Sequence, residues 1–116
     1  MALFKVRSSQ RDKQTDQERV SAVVTAIDAA IGSAEKERTA LNLRVKDAQD
    51  LAGLAAGNEM DEYLTREAKD TRRIAGYEQQ LIAGHKRIDE LNTHIANLNA
   101  VRAVCSSRFA ELIKKN

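Results

Sequence analysis

Apolar and small residues recur along this chain at alternating steps of four and three. The first series runs Val20, Val24, Ile27, Ile31, Ala34, Leu41, Val45, Ala48, Ala52 and Ala55, and Arg38 takes the one place where an apolar residue is due. The second runs Ile74, Tyr77, Leu81, Gly84, Ile88, Leu91, Ile95, Leu98, Cys105, Phe109 and Leu112, interrupted by Arg102. A 3.5-residue period held over so many turns predicts a coiled-coil seam on each of two helices. Between Met60 and Thr71 the pattern thins, leaving Met60, Leu64 and Ala68 as the inward candidates.

Local signals suggest where these helices begin and end. Thr15-Asp16-Gln17-Glu18 matches the S/T-x-x-E capping box, in which hydroxyl and carboxylate satisfy orphan backbone donors. Gly57 suits the position just past a helix end, and Asn58 suits the next N-cap. Glu59, Asp61 and Glu62 follow where a helix dipole favours acids. The expected organisation is a head segment, 1–14, then a helical hairpin, 15–116, made of helix 15–55, turn 56–58 and helix 59–114. The fold class is all-α, an antiparallel two-helix coiled-coil hairpin, because a short connection forces antiparallel neighbours.

Folding about residue 56 sets Ile31 near Leu81, Val24 near Ile88, and Ile27 near Gly84 and His85. The first helix then runs out opposite about Asn97. Val101, Val104, Cys105, Phe109, Leu112 and Ile113 are left without a first-helix partner. An apolar stripe of that size calls for a cover. Two covers are available: the head, through Leu3, Phe4 and Val6, or another chain. Leu3, Phe4, Val6, Val101, Val104, Phe109, Leu112 and Ile113 are therefore the candidate interaction residues. A single seam also leaves Val23, Leu43, Leu51, Ile82 and Val101 for a second interface, so a homodimer with a four-helix arrangement is expected.

Composition sharpens this picture. The 116 residues include no proline and no tryptophan, and the only aromatics are Phe4, Tyr63, Tyr77 and Phe109. Long helices suit that mixture better than a compact core does. No apolar run approaches the ~18 residues of a membrane span, and the apolar stretch in 1–10 is too short for a secretory signal. The single Cys105 cannot form an intrachain disulfide. A cytoplasmic protein with no membrane contact is the expectation.

The formal net charge is only +2, but its distribution is uneven. Residues 1–20 carry Lys5, Arg7, Arg11, Lys13 and Arg19 against Asp12, Asp16 and Glu18, a net of +2. At the other terminus Arg108, Lys114 and Lys115 stand against Glu111, again +2. Residues 46–70 carry seven acids against Lys46, Arg66 and Lys69, a net of −4. Lys5, Arg7, Arg11, Lys13, Arg108, Lys114 and Lys115 thus form a candidate basic end, suited to phosphate or to an acidic protein. It lacks the interleaved aromatics that stack on bases.

Candidate chemistry is sparse. His85 and His94, nine residues apart, fall on opposite faces of one helix. No Glu-x-x-His or His-Glu-x-x-His spacing accompanies them, so metal ligation would require assembly across a dimer. Cys105 sits on the seam without a base beside it, as a small hydrophobe does. Gly76 and Gly84 lie inside a helix, where each costs about 1 kcal/mol relative to alanine. They suit either close approach of another helix or local bending. Asn92 and Asn99 flank the second seam, where a buried asparagine can fix register. No catalytic, cofactor-binding or metal site is expected, and no cofactor. The sequence reads as a non-enzymatic protein-protein interaction module: a coiled-coil adaptor, inhibitor or assembly factor. Its partner would be a protein. A nucleic-acid-associated protein using the basic end is the first alternative, and a dimer-assembled metal-binding helical bundle the second.

Overall fold

A computed structural model of the chain describes the backbone of residues 8–61 and 68–113 and the side chains of 8–54 and 71–113. Helix α1 spans Ser9–Asp61, α2 spans Ala68–Arg108, and a single further turn, α3, spans Ala110–Ile113. No strand occurs among the described residues. The two long helices pack against each other as an antiparallel hairpin, as the two seams predict.

The ends of α1 lie elsewhere than the local signals suggest. The cap is Ser8, whose Oγ accepts a hydrogen bond from the Arg11 amide at 3.0 Å. Thr15, expected at the N-cap, stands inside the helix and donates from Oγ1 to the Arg11 carbonyl at 3.0 Å. That back-bond to i−4 gives a hydroxyl a satisfied place mid-helix. At the other end α1 continues through Gly57 and Asn58 to Asp61, so the expected turn at 56–58 is corrected. No described glycine has a positive φ. The helix therefore carries Gly32, Gly53 and Gly57 at about 1 kcal/mol each, and none of the three works as a stop. Of the expected inward residues 60, 64 and 68, the side chains lie outside the described residues.

Packing places the chain in two units, one of Met1–Ser33 with Ile95–Asn116, the other of Ala34–His94. In the second unit the register is fixed by Gly84. A Cβ built there would meet Val45 Cγ2 at 2.6 Å, so these two residues touch across the seam. With Ile31 and Val45 lettered as heptad position a, Gly84 is a d, and Leu41 falls opposite Ile88 and Ala48 opposite Leu81. In the first unit the same register sets Ile31 opposite Leu98 and Val24 opposite Cys105. The expected pairings of Ile31 with Leu81, Val24 with Ile88 and Ile27 with Gly84 are corrected. The shift is about 17 residues along α1, roughly 26 Å. It follows from the later connection between the helices.

Burial follows the seam positions themselves. Val20, Ile31, Ala34, Val45, Ala48, Leu91 and Ile95 form the core, and Leu91 is the most enclosed at 1% exposure. Fully burying a Val, Ile or Leu side chain contributes about 1.5–3 kcal/mol, so this narrow line of side chains supplies most of what holds the helices together. The later connection also gives the C-terminal part of α2 a partner. Gln17 Nε2 donates to the Leu112 carbonyl at 3.4 Å, so α1 reaches as far as α3. The expectation that Val101 to Ile113 lack a first-helix partner is corrected accordingly.

Gly84 and Gly76 separate the two roles that glycine could play. Nothing lies within 4 Å of a Cβ added at Gly76. Gly76→Ala should therefore stabilise the hairpin by about 0.5–1 kcal/mol through helix propensity alone. Gly84→Ala meets a β-branched side chain that cannot turn aside freely. Overpacking at about 1–3 kcal/mol outweighs the propensity gain. Chemical denaturation should show Gly84→Ala destabilised and largely rescued by Val45→Ala. Equal stabilisation by both alanines would contradict the register.

Candidate interaction surface

Two arginines interrupt the seams, and each is satisfied in the same way. Arg102 reaches Asp28 in the first unit, with Nε donating to Oδ1 at 2.5 Å and Nη2 to Oδ2 at 3.2 Å. Arg38 reaches Asn92 in the second unit, with Nη1 donating to Oδ1 at 2.9 Å. Both arginines occupy a positions, and both acceptors occupy e, one residue beyond the apolar d position that faces the arginine. A planar, multi-donor guanidinium can leave a seam by this route while its methylenes stay in it. These contacts lie on the e side of each unit, where the first unit also has a groove of about 600 Å³ whose lining includes Val20, Val24, Leu112 and Ile113. Asn92 thus acts in register, but exposed and as an acceptor for arginine. Asn99 instead donates to the carbonyl of Ile95 in its own helix at 3.0 Å.

The g side differs. In the second unit Arg87 binds Glu37 through two donors, at 2.8 and 3.1 Å, and also touches Glu90 at 3.4 Å. Beside this cluster a groove of about 490 Å³ is lined by Leu41, Arg44, Val45, Asp47, Ala48, Leu51, Gln80, Ala83 and Gly84. The missing side chain at Gly84 helps to open it. In the first unit a cleft of about 340 Å³ is lined by Asp16, Arg19, Val20, Val23, Cys105, Phe109 and Leu112. In both, the lining residues come from the c, g, d and a positions, so both clefts open on the g side.

Large apolar side chains remain exposed in both units. Val23, Val101, Val104, Phe109 and Ile113 are exposed in the first unit, and Leu43, Leu51, Leu54 and Ile82 in the second, with Ile82 reaching 70%. The secondary positions expected from the sequence, Val23, Leu43, Leu51, Ile82 and Val101, are all among them. Val23, Val101 and Leu51 hold g positions, and Val104 and Leu54 hold c positions beside them. Leu112 is half-buried against α1, and Cys105 is half-buried on the seam.

Of the expected basic end, Arg11, Lys13 and Arg108 are exposed. Lys5, Arg7, Lys114 and Lys115 lie outside the described residues, as do Leu3, Phe4 and Val6. His85 and His94 are both exposed, and no group of three His, Cys, Asp or Glu side chains suited to a metal ion occurs among the described residues. No helix among them is long and apolar enough to cross a membrane. The features that pattern reading passed over are Asp28 and Glu37. Each sits across the seam from an arginine, and with the register unknown the pairing had no visible signal.

The fold defines a class, the antiparallel α-helical hairpin. Comparison with known families, curated proteins and solved structures yields no match.

The ion pairs carry a pH signature. Hydrogen bonding from Arg102 holds the Asp28 carboxyl below the usual carboxylate range, and Arg87 does the same for Glu37. Arg44 and His94 add weaker attraction at Glu37. Each carboxyl binds its proton less readily in the folded chain than in the unfolded one. Its contribution is therefore complete above about pH 4, where unfolded carboxyls ionise. It fades as pH falls through the depressed folded value. Thermal melts between about pH 5 and pH 2 should show a shallower acid-side fall for Asp28→Asn with Glu37→Gln than for the native chain. Identical acid-side slopes would mean that these pairs do not persist in solution.

Proposed function

We propose that this chain is a non-enzymatic protein-interaction module, a coiled-coil adaptor, inhibitor or assembly factor that binds another protein through the flank of its hairpin. The observation that carries the reading is the apolar surface left over once the seam is filled. Nine large apolar side chains among the described residues remain exposed, Leu54 at 66% and Ile82 at 70%. Five of them hold g or c positions, Val23, Val101 and Val104 in the first unit and Leu51 and Leu54 in the second, and monomers seldom leave such groups exposed together unless something binds there. Val23 and Phe109 line the cleft of the first unit and Leu51 the groove of the second, so a partner would find recesses as well as apolar area.

The nucleic-acid alternative draws on the basic terminal stretches. Against it, the described residues 8–20 carry Arg11, Lys13 and Arg19 against Asp12, Asp16 and Glu18, a net of zero, and Arg19 is paired with Asp16 at 3.1 Å. Cytoplasmic placement belongs to the same proposal and rests on the single cysteine.

Affinity capture from native cells tests this reading. The expected result is a protein that co-purifies stoichiometrically with the native chain and is lost with Val101→Glu combined with Leu51→Asp. Both substitutions lie outside the seam, so helicity by circular dichroism should be unchanged. Salt-sensitive retention of DNA or RNA in place of a protein, with affinity falling steeply as salt rises, would overturn the proposal in favour of phosphate binding.

A further inference from the structure

The cleft on the g side of the first unit has apolar walls. Val20, Val23, Cys105, Phe109 and Leu112 line it, and its two charged residues, Asp16 and Arg19, are paired with each other at 3.1 Å. A cover over this cleft therefore strands no lone charge. The groove on the e side of the same unit is different, because Gln14, Glu18, Ser21 and Thr25 share its walls with the apolar groups. An apolar cover there would desolvate those polar groups without pairing them.

Seven residues precede the Ser8 cap and lie outside the described residues. Leu3, Phe4 and Val6 among them are apolar. The length of this segment matches the cleft. An N-cap residue departs from helical geometry, so the chain can change direction at Ser8. Asp16 and Val23, the near and far ends of the cleft on α1, lie roughly 12 and 22 Å beyond Ser8 along the helix axis. Seven extended residues span at most about 23 Å. Doubled back along α1, Phe4 reaches about 13 Å and draws level with Gln17, and Leu3 reaches about 17 Å and draws level with Arg19. Leu112 stands across the seam at the first of these levels, its carbonyl accepting from Gln17. Phe109 stands one turn further along, opposite Val20 in the same register. Ser9, Asp12, Asp16 and Arg19, all exposed, form the strip of g and c positions that leads from the cap to the cleft.

Tethering favours this occupant over a separate chain. A short loop closes at small entropic cost, and a group held on a short tether acts at millimolar effective concentration.

We infer that the head, residues 1–7, doubles back at Ser8 and seats Leu3 and Phe4 in this cleft against Phe109 and Leu112. The inference rests on the proposed role as a protein-interaction module and gives that surface a built-in competitor. A partner reaching the cleft of the first unit must displace the head, so its apparent affinity falls in proportion to the fraction of chains that are open.

Cys105 lines the cleft and is the only thiol in the chain, so its rate of reaction with fluorescein maleimide reports whether the cleft is covered. Leu3→Asp with Phe4→Asp in the full chain should raise that rate at least about fivefold, the change produced by a head that occupies the cleft about four-fifths of the time. Helicity should stay unchanged, because both residues precede α1. The native rate should be independent of protein concentration. Benzoylphenylalanine in place of Phe4 should cross-link within its own chain to residues 109–112. Equal thiol rates in the native chain and the variant, cross-links to the e-side groove, or a native rate that falls as protein concentration rises, as a second copy acting as the cover would cause, would each overturn the seated head. Affinity capture separates this inference from the wider reading. Stronger capture of a protein by the double variant supports the competitor. An unchanged thiol rate with capture intact removes the head alone. A raised thiol rate with no protein captured by either chain leaves the head in its cleft and removes the interaction reading.

Discussion

Close contact between Val45 and Gly84 sets the register on which the rest of this structure depends. An antiparallel seam with a strict 3.5-residue period accepts several registers, each a whole heptad from the next, and apolar side chains discriminate among them weakly. A position with no side chain opposite a branched one breaks that degeneracy, because a register slip leaves a hole at the glycine and crowding elsewhere. Once Val45 is seated, Leu91, Ile95 and Ile31 find their places on the seam, and every polar contact across it follows.

The arginines on the seams strengthen this choice without adding much stability. The ion pairs of Asp28 with Arg102 and Glu37 with Arg87 stay roughly half exposed, and exposed pairs contribute little net free energy. Their value lies in what a different register would do to them. A slip by one heptad parts Arg102 from Asp28 and Arg38 from Asn92 together, so both contacts must be remade at once. These arginine contacts lie on the e side of each unit, whereas Val23 and Val101 in the first unit and Leu51 and Leu54 in the second hold g or c positions.

Much of the fold was legible in the sequence. Seam positions were readable because periodicity reports which residues face inward whatever the partner is, and the buried residues fall on those positions. The connection was not readable. Gly57 and Asn58 carry the chemistry of a helix end, but the same residues are tolerated within a helix that has enough packed turns on its N-terminal side. Thr15 misled for a parallel reason, since a hydroxyl can cap a helix or bond back to it. With the connection misplaced, facing pairs could not be assigned, and Asp28 and Glu37 looked like ordinary surface acids. The exposed positions Val23, Leu43, Leu51, Ile82 and Val101 were legible because exposure, like burial, depends on heptad position alone.

Val24 and Cys105 offer the most direct test of that register, because the native thiol already occupies one side of the seam. A single substitution, Val24→Cys, should yield an intrachain disulfide on oxidation, seen as a monomeric species with no free thiol. In the Cys105→Ser background, Val24→Cys with Ile88→Cys should stay reduced within the chain. Ready closure of the bridge at positions 24 and 88, with none between 24 and 105, would contradict the account.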